Sequence, residues 1–307
     1  MKEVSVVLGG GGAKGFVHVG VLDEIIARGY RIVAIFGTSI GAIVGALFAY
    51  NESVEFRGRP DAQQRAATAV RDALATTEFI RLADFNVTSL LRRGFLKGKR
   101  IRDRLDVHLM DSSARRPLTF KEIDFDLNIT ITNAANGDSI VANRANTPDV
   151  PVAAAVRASM SIQGVFLEET IRYKGEDITC WDGGVTGNCR FDLSYEKYPE
   201  LLTIASSVTY DGDVRELPNG FWTGILRPLR VADRSADFWL RQIEGLTAHL
   251  LGASAMKQIL IVRPDVDGVT TSQFWLSRQR RSMLFDNGRK AVAAALNQYE
   301  SDHAATG

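Results

Sequence analysis

The chain has 307 residues, 45% hydrophobic and 24% charged, with a formal net charge of +1. This composition suits a globular protein with a large core and excludes a disordered or collagen-like chain, and so small a net charge gives no global field for holding nucleic acid. Two cysteines, Cys180 and Cys189, are too few for a disulfide framework and suit a reducing compartment.

Met1-Lys2-Glu3 leads straight into an apolar strand, without the apolar core or cleavage site of a secretory signal. The longest apolar run, Ile40 to Tyr50, falls well short of the roughly 20 residues a membrane-spanning helix needs. The expectation is a cytoplasmic chain with peripheral access to membranes; export by a route without a cleaved signal stays open. Val4 to Leu8 is a continuous apolar run ended by glycines, the pattern of a strand buried on both faces. Gly15 to Arg28 carries Phe16, Val19, Leu22 and Ile26 at helical spacing, and Gly29 stops it. Arg31 to Phe36 predicts a second buried strand and Ile40 to Tyr50 a second helix. Such a β-α-β-α unit makes its two strands parallel neighbours joined by a right-handed crossover.

From Asn51 to Pro117 the pattern weakens. Asp61 to Leu82 predicts a helix, and residues 92–104 hold Arg92, Arg93, Lys97, Lys99, Arg100, Arg102 and Arg104 against Asp103 alone. This stretch reads as an insertion over the core, the natural place for a lid. Further on, Phe125 to Thr132 and Ser139 to Asn143 are strands either side of the turn Asn136-Gly137-Asp138. Val152 to Ser159 is a helix, Ile171 to Trp181 a hairpin about Lys174-Gly175, Leu201 to Val208 and Ile259 to Arg263 buried strands, and Arg289 to Tyr299 part of a last helix. One α/β domain over 1–307 accommodates these elements, with the insertion at 51–117 and a frayed tail at 301–307.

Chemistry concentrates in the first βαβα unit. Gly9-Gly10-Gly11-Gly12-Ala13-Lys14-Gly15 lies between strand and helix, where glycines let backbone N–H groups approach a ligand. A Walker loop needs Ser or Thr after the lysine, and Lys14 is followed by Gly15. A dinucleotide fingerprint is matched by Gly10, Gly12 and Gly15, but the second strand ends in Phe36-Gly37-Thr38-Ser39 rather than in an acid for the ribose. Instead Gly37-Thr38-Ser39-Ile40-Gly41 matches G-x-S-x-G at a strand-to-helix junction, with Gly37 and Gly41 sparing the serine from crowding. A tight βα turn would read the same. Parallel neighbouring strands end on one edge, so serine and glycine loop should lie together, as acyl transfer requires of a nucleophile and its oxyanion donors. Of the histidines, His303 is in the tail, His108 and His249 are in helical contexts without a motif, and His18 is one turn into the first helix. Asp182, in Trp181-Asp182-Gly183-Gly184 after a strand, is the better base; its bland reading is a turn aspartate bonded to its own backbone.

The glycine loop, the serine elbow and the later Asp-Gly-Gly together resemble the patatin-like phospholipase family. The resemblance runs on through Pro148, Ala155-Val156-Arg157-Ala158-Ser159-Met160-Ser161-Ile162, Val165-Phe166 and Asn188, from Val4 to about Asp192. It implies a three-layer α/β/α fold with a mainly parallel central sheet and a helical lid-like insertion. It also implies hydrolysis of lipid acyl esters by a dyad of Ser39 and Asp182, without histidine. The oxyanion hole would come from Gly10, Gly11, Gly12, Lys14 and Gly15, chiefly the N–H groups of Gly11 and Gly12, with Lys14 where the family has Arg or Lys; Gly183 and Gly184 complete the aspartate motif. Gln163 and Arg190 stand where the family usually has proline, which puts substrate preference in doubt. No cofactor and no catalytic metal are expected.

A thioesterase or small-ester esterase on the same dyad, or a lipid-binding regulator that kept the fold, are the competing readings. The expected partner is a lipid or membrane surface and not nucleic acid; whether a protein activator is needed is not legible. Two stretches could meet a membrane: Phe79, Ile80, Leu82, Phe85, Leu90, Leu91, Phe95 and Leu96 ahead of the basic cluster, and Phe221 to Val231, with Trp222, Ile225, Leu226 and Leu229 beside Arg227 and Arg230. Taken alone, each stretch reads somewhat better as a solvated basic face over ordinary core residues.

Overall fold

The computed structural model describes residues 1–77, 84, 94–111, 115–209, 221–271, 273 and 276–304, with side chains at 94–95, 111 and 221–238 left aside. In chain order come β1 (Lys2–Leu8), α1 (Phe16–Ala27), β2 (Tyr30–Thr38), α2 (Ile40–Tyr50), α3 (Ala62–Thr76), β3 (Gly94–Leu96), α4 (Lys99–His108), β4 (Met110–Asp111) and β5 (Arg116–Pro117). There follow β6 (Asp126–Asn133), β7 (Ser139–Ala142), α5 (Val152–Ser159), β8 (Gly164–Phe166), β9 (Glu169–Tyr173), β10 (Glu176–Asp182), α6 (Phe191–Lys197), β11 (Leu202–Ser206), α7 (Phe221–Met256), β12 (Ile259–Val262) and α8 (Arg278–Ala304).

The main sheet runs in the order β12-β11-β1-β2-β6-β10-β9, with β7 also on β6. From β12 to β6 all neighbours are parallel; β7, β10 and β9 add antiparallel pairs. Helices cover both faces, because alternate residues of the central strands are apolar in both directions. Val4, Val6 and Leu8 of β1, with Ile32 and Ile35 of β2, pack into a large core with α1, α2, α5 and α8. Val7, Ala34, Phe36 and Ala205 point the other way, into a smaller core closed by Phe191 of α6 and by Ala248 and Leu251 of α7. The α/β/α architecture and the parallel β1–β2 pair are as the sequence implied.

Register explains why the far-off aspartate reaches the serine. Along β6, Asp126 to Thr130 pair with β2, ending at Thr38–Thr130. The next residue of β6, Ile131, pairs with Asp182 at the end of β10. Since β7 pairs with Ile129 to Thr132 as well, β7 must lie on the opposite edge. So β2 and β10 share one edge of β6 and meet end to end, β2 stopping at Thr38, just before Ser39, and β10 at Asp182.

Other differences from the sequence reading are local. The predicted helix beginning at Asp61 is α3, which buries Ala66, Ala67, Val70 and Leu74 and ends at Thr76; its expected continuation to Leu82 lies outside the described residues beyond Thr77. The basic stretch contains a helix, α4, whose only buried residues, Ile101 and Leu105, are four apart among charges. The last helix is longer than the alanine-rich part suggested, and α7 is a long helix broken at Gly252. Of the suggested membrane-facing residues, Phe79, Ile80, Leu82, Phe85, Leu90 and Leu91, the side chain of Phe95, and the side chains of 221–231 lie outside what is described. So do Arg92 and Arg93. Two other members of the basic cluster are paired, Lys99 with Asp103 and Arg102 with Asp106 and Glu169.

Candidate active site

Ser39 occupies the turn between β2 and α2 with φ 53° and ψ −118°, a left-handed conformation unusual for a residue with a side chain. Two contacts hold it there. Its N–H donates to the Ser159 hydroxyl at 2.8 Å, and that hydroxyl donates in turn to the Thr130 carbonyl at 2.7 Å. Its carbonyl accepts from Ala42 and Ile43 in the first turn of α2. Gly41 permits the turn to sit this low, because a Cβ there would overlap the Leu8 carbonyl. Removal of the Ser159 hydroxyl leaves the buried Ser39 N–H without its acceptor, which costs about 1–3 kcal/mol. Ser159→Ala should therefore lower the urea midpoint at unchanged slope, and a loss below about 0.5 kcal/mol would mean that the amide finds another acceptor.

The glycine loop lies against this serine. A Cβ on Gly10 would come within 3.2 Å of the Ser39 Cβ and 2.5 Å of Asn188 Oδ1. Asn188 clamps the loop, accepting the Gly10 N–H at its carbonyl (3.2 Å) and donating from Nδ2 to the Gly10 carbonyl (3.1 Å). Lys14 donates its N–H to Gly11 and Ala13 to Thr271. The amides of Gly10 and Lys14 are thus engaged within the fold, whereas those of Gly11 and Gly12 have no acceptor among the described residues. Gly12 lines the pocket above Ser39, Gly15 abuts Ile40, and the Lys14 side chain is buried.

Asp182 is also buried, its N–H donating to the Ser161 carbonyl (2.9 Å) and its carbonyl accepting from the Thr132 hydroxyl (2.9 Å). Its Oδ1 accepts from the Gly184 N–H at 2.7 Å, the bond of a turn aspartate. Gly183 packs on the Thr130 carbonyl so closely that a Cβ would overlap it. The second oxygen is different: Oδ2 is buried with no hydrogen bond of full geometry. Burial raises the carboxyl from 3.8 to about 6, while the Gly184 N–H, the neighbouring Ser39 hydroxyl and the Arg157 charge oppose the rise. One oxygen serves the fold and the other is left over.

A pocket opens above Ser39, lined by Phe16, Leu96, Ile101, Met160, Ile162 and Phe166 among others. Arg157 braces this wall. Fully buried, it donates to the carbonyls of Gly98, Lys97 and Leu167 and to the Ser161 hydroxyl, and it lies 5.2 Å from the Phe166 ring. Sequence reasoning singled out Arg157, Ser159 and Asn188 only as part of the family likeness and gave them no role.

The remaining candidates separate cleanly. His18 is buried, with Nδ1 bonded to the Ser206 hydroxyl (2.9 Å) and Nε2 to the Gly9 carbonyl (2.8 Å), and desolvation lowers it to about 4. Both ring nitrogens are occupied, so it holds the glycine loop rather than serving as a base for Ser39. Cys180 and Cys189 are buried free thiols raised by desolvation, Cys180 to about 12, which leaves them protonated and inert. Gln163 is exposed. Arg190 ties the start of α6 to β7 through Asp192 and the Ser139 hydroxyl (2.8 Å), a polar clamp where proline would stiffen the chain. No helix among the described residues is long and apolar enough to cross a membrane.

Comparison with known proteins gives the following. Residues 6–194 match the family model described as patatin-like phospholipase. An uncharacterised NTE family protein of Mycobacterium tuberculosis is 26% identical over 259 residues, which are 84% of this chain and 60% of that protein. The chain thus spans 60% of the length of that relative. A lysophospholipase of Coccidioides immitis is 42% identical over 74 residues, 22% of this chain and 5% of that protein. Among solved structures, VipD from Legionella pneumophila aligns over 97% of this chain and 67% of its own, with 13% identity and a TM-score of 0.46.

Proposed function

Because the chain belongs to the patatin-like phospholipase family, we propose that it hydrolyses acyl esters of lipids, with Ser39 as nucleophile and Asp182 as its base. The observation that carries this reading is the unbonded Oδ2 of a buried aspartate, set beside the hydroxyl of a strained serine at the base of an apolar pocket. An acyl chain lies along Phe16, Leu96, Met160 and Phe166, and the ester carbonyl meets Ser39. The Ser39 hydroxyl attacks this carbon as Oδ2 takes its proton, and the tetrahedral oxyanion accepts from the Gly11 and Gly12 amides. Collapse expels the alcohol portion of the lipid, which recovers the proton. Water then attacks the acyl-enzyme, again giving its proton to Asp182; the proton returns to the Ser39 oxygen as the fatty acid leaves. Leu96 and Ile101, from the stretch read as a lid, would cover the chain from one side.

The base is set by its surroundings. A free aspartate near 3.9 is too weak to deprotonate a hydroxyl, and burial lifts Asp182 to about 6, closer to working pH. Because the reaction needs the carboxylate, kcat/KM should rise about tenfold per pH unit below about 6 and level off above it. A rate independent of pH between about 5 and 8 would remove Asp182 as base.

The substrate class is tested by incubating the protein with lysophosphatidylcholine micelles and with phosphatidylcholine vesicles and measuring free fatty acid by mass spectrometry. Release that disappears in Ser39→Ala supports the reading. Failure to release acyl groups from either lipid, alongside cleavage of a short thioester, would transfer the dyad to a thioesterase.

A further inference from the structure

Two cavities meet at one side chain. The pocket above Ser39 has Ile40 and Ile101 in its wall. A second cavity, between α2, α3 and α4, is lined among others by Ile43, Leu47, Ala73, Leu74 and Leu105, and it shares Ile101 with the first. Ile43, Leu47, Leu74, Ile101 and Leu105 are all buried. Of the remaining lining residues, Arg104 is exposed and His108 half-buried, so the cavity nears solvent on that side.

Two helical stripes make the cavities continuous. On α2, Ile40, Ile43 and Leu47 stand at i, i+3 and i+7, which is one face of the helix. On α4, Ile101, Leu105 and His108 stand at i, i+4 and i+7. In each stripe the first residue lines the pocket above Ser39, and the two that follow line the second cavity and not that pocket. Both helices therefore lead away from the nucleophile. Ile101 and Leu105 are the only buried residues of α4, and both are spent on this lining. Because α3 and α4 lie in the stretch 51–117, the insertion over the core supplies two of the three walls.

The distances fit a hydrocarbon chain. From Ser39 the axis of α2 rises about 6 Å to Ile43 and about 12 Å to Leu47. Bonds of about 1.5 Å at angles near 111° advance an extended alkyl chain by about 1.25 Å each. Counted from a carbonyl at Ser39, about five bonds bring the chain level with Ile43 and about ten with Leu47. Buried aliphatic side chains along this path select a tail over a head group, whose polar atoms would find no partners there.

From this we infer that the second cavity receives the distal half of the acyl chain, with Ile101 as the partition that sets chain-length preference. The inference rests on the lipid-hydrolase reading and narrows its substrates to acyl chains of about ten carbons or more.

The test is the ratio of kcat/KM for p-nitrophenyl dodecanoate to that for p-nitrophenyl butyrate, whose acyl chains extend about 14 and about 4 Å. Ala73→Phe, which puts a ring into the second cavity from α3, should lower the ratio about tenfold or more, because several methylenes lose their burial. Ile101→Ala, which widens the passage, should raise it severalfold. A general loss of packing would move both variants in one direction, and circular dichroism with melting midpoints checks the fold of each. A ratio that Ala73→Phe leaves unchanged, or that Ile101→Ala fails to raise, overturns the inference while the hydrolase reading stands. A parent that cleaves neither ester is a failure of the hydrolase reading, and the cavity is then read without turnover. Dodecanoate should bind the parent, by calorimetric titration, about tenfold more tightly than it binds Ala73→Phe; equal affinity, or no binding to the parent, overturns the inference.

Discussion

Asp182→Asn is expected to do two opposite things at neutral pH: lower acyl release by about 10²–10⁴-fold and raise the stability of the fold. The loss of rate follows from the base. Asparagine keeps an oxygen for the Gly184 N–H but has no carboxylate to take the Ser39 proton. The gain follows from linkage. The folded-state value of Asp182, about 6, lies above its ordinary 3.8, because burial penalises the charged form. A group shifted upward contributes its full stability below its unfolded value and loses that contribution as pH rises through the folded one. Above about pH 6 the native protein therefore holds a buried carboxylate at a cost, and the gap between 3.8 and about 6 corresponds to roughly 3 kcal/mol. Asp182→Asn removes the penalty. Its melting midpoint should exceed that of the parent at pH 7.5, with the difference shrinking toward pH 4. A variant that loses both activity and stability at pH 7.5 would make Asp182 a structural residue.

Ser39→Ala is the larger kinetic effect. With no oxygen to attack the carbonyl, acyl release should fall by roughly 10⁴-fold or more, to whatever catalysis the pocket and the oxyanion donors can offer water. The stability effect should be small and of either sign. Ser39 is 5% exposed and its hydroxyl makes no full hydrogen bond to Asp182 Oδ2, so little native bonding is lost. The Ser39 N–H remains bonded to Ser159 whatever the side chain. A Ser39→Ala protein that still turns over lipid at the parent rate would place the chemistry elsewhere.

The parts of this protein that sequence disclosed are those with local periodicity or local turn chemistry. β1, α1, β2 and α2 follow one another with short connections, and Gly37 to Gly41 announces its turn within five residues. Asp182 was harder. Its Asp-Gly-Gly reads locally as a turn, which its Oδ1 indeed makes, and nothing nearby reveals that the carboxyl would neighbour the Ser39 hydroxyl with Oδ2 left unbonded. That outcome depends on β2 and β10, over 140 residues apart in the chain, both pairing with one edge of β6. Ser159 and Asn188 act at similar range, 120 and 178 residues from their partners, through small polar side chains that leave no periodic trace. Arg157 would have been placed at the surface on composition alone; four acceptors and an aromatic face make its burial tolerable. In α4 the buried side consists of Ile101 and Leu105 alone, set among charges.

The most direct measurement is covalent labelling with a fluorophosphonate probe, followed by intact-mass and peptide mapping. A serine made nucleophilic by a neighbouring base in an apolar pocket should take up one equivalent, on the peptide containing Ser39, and Asp182→Asn should react far more slowly. A label found on another residue, or uptake that survives in Ser39→Ala, would contradict the assignment.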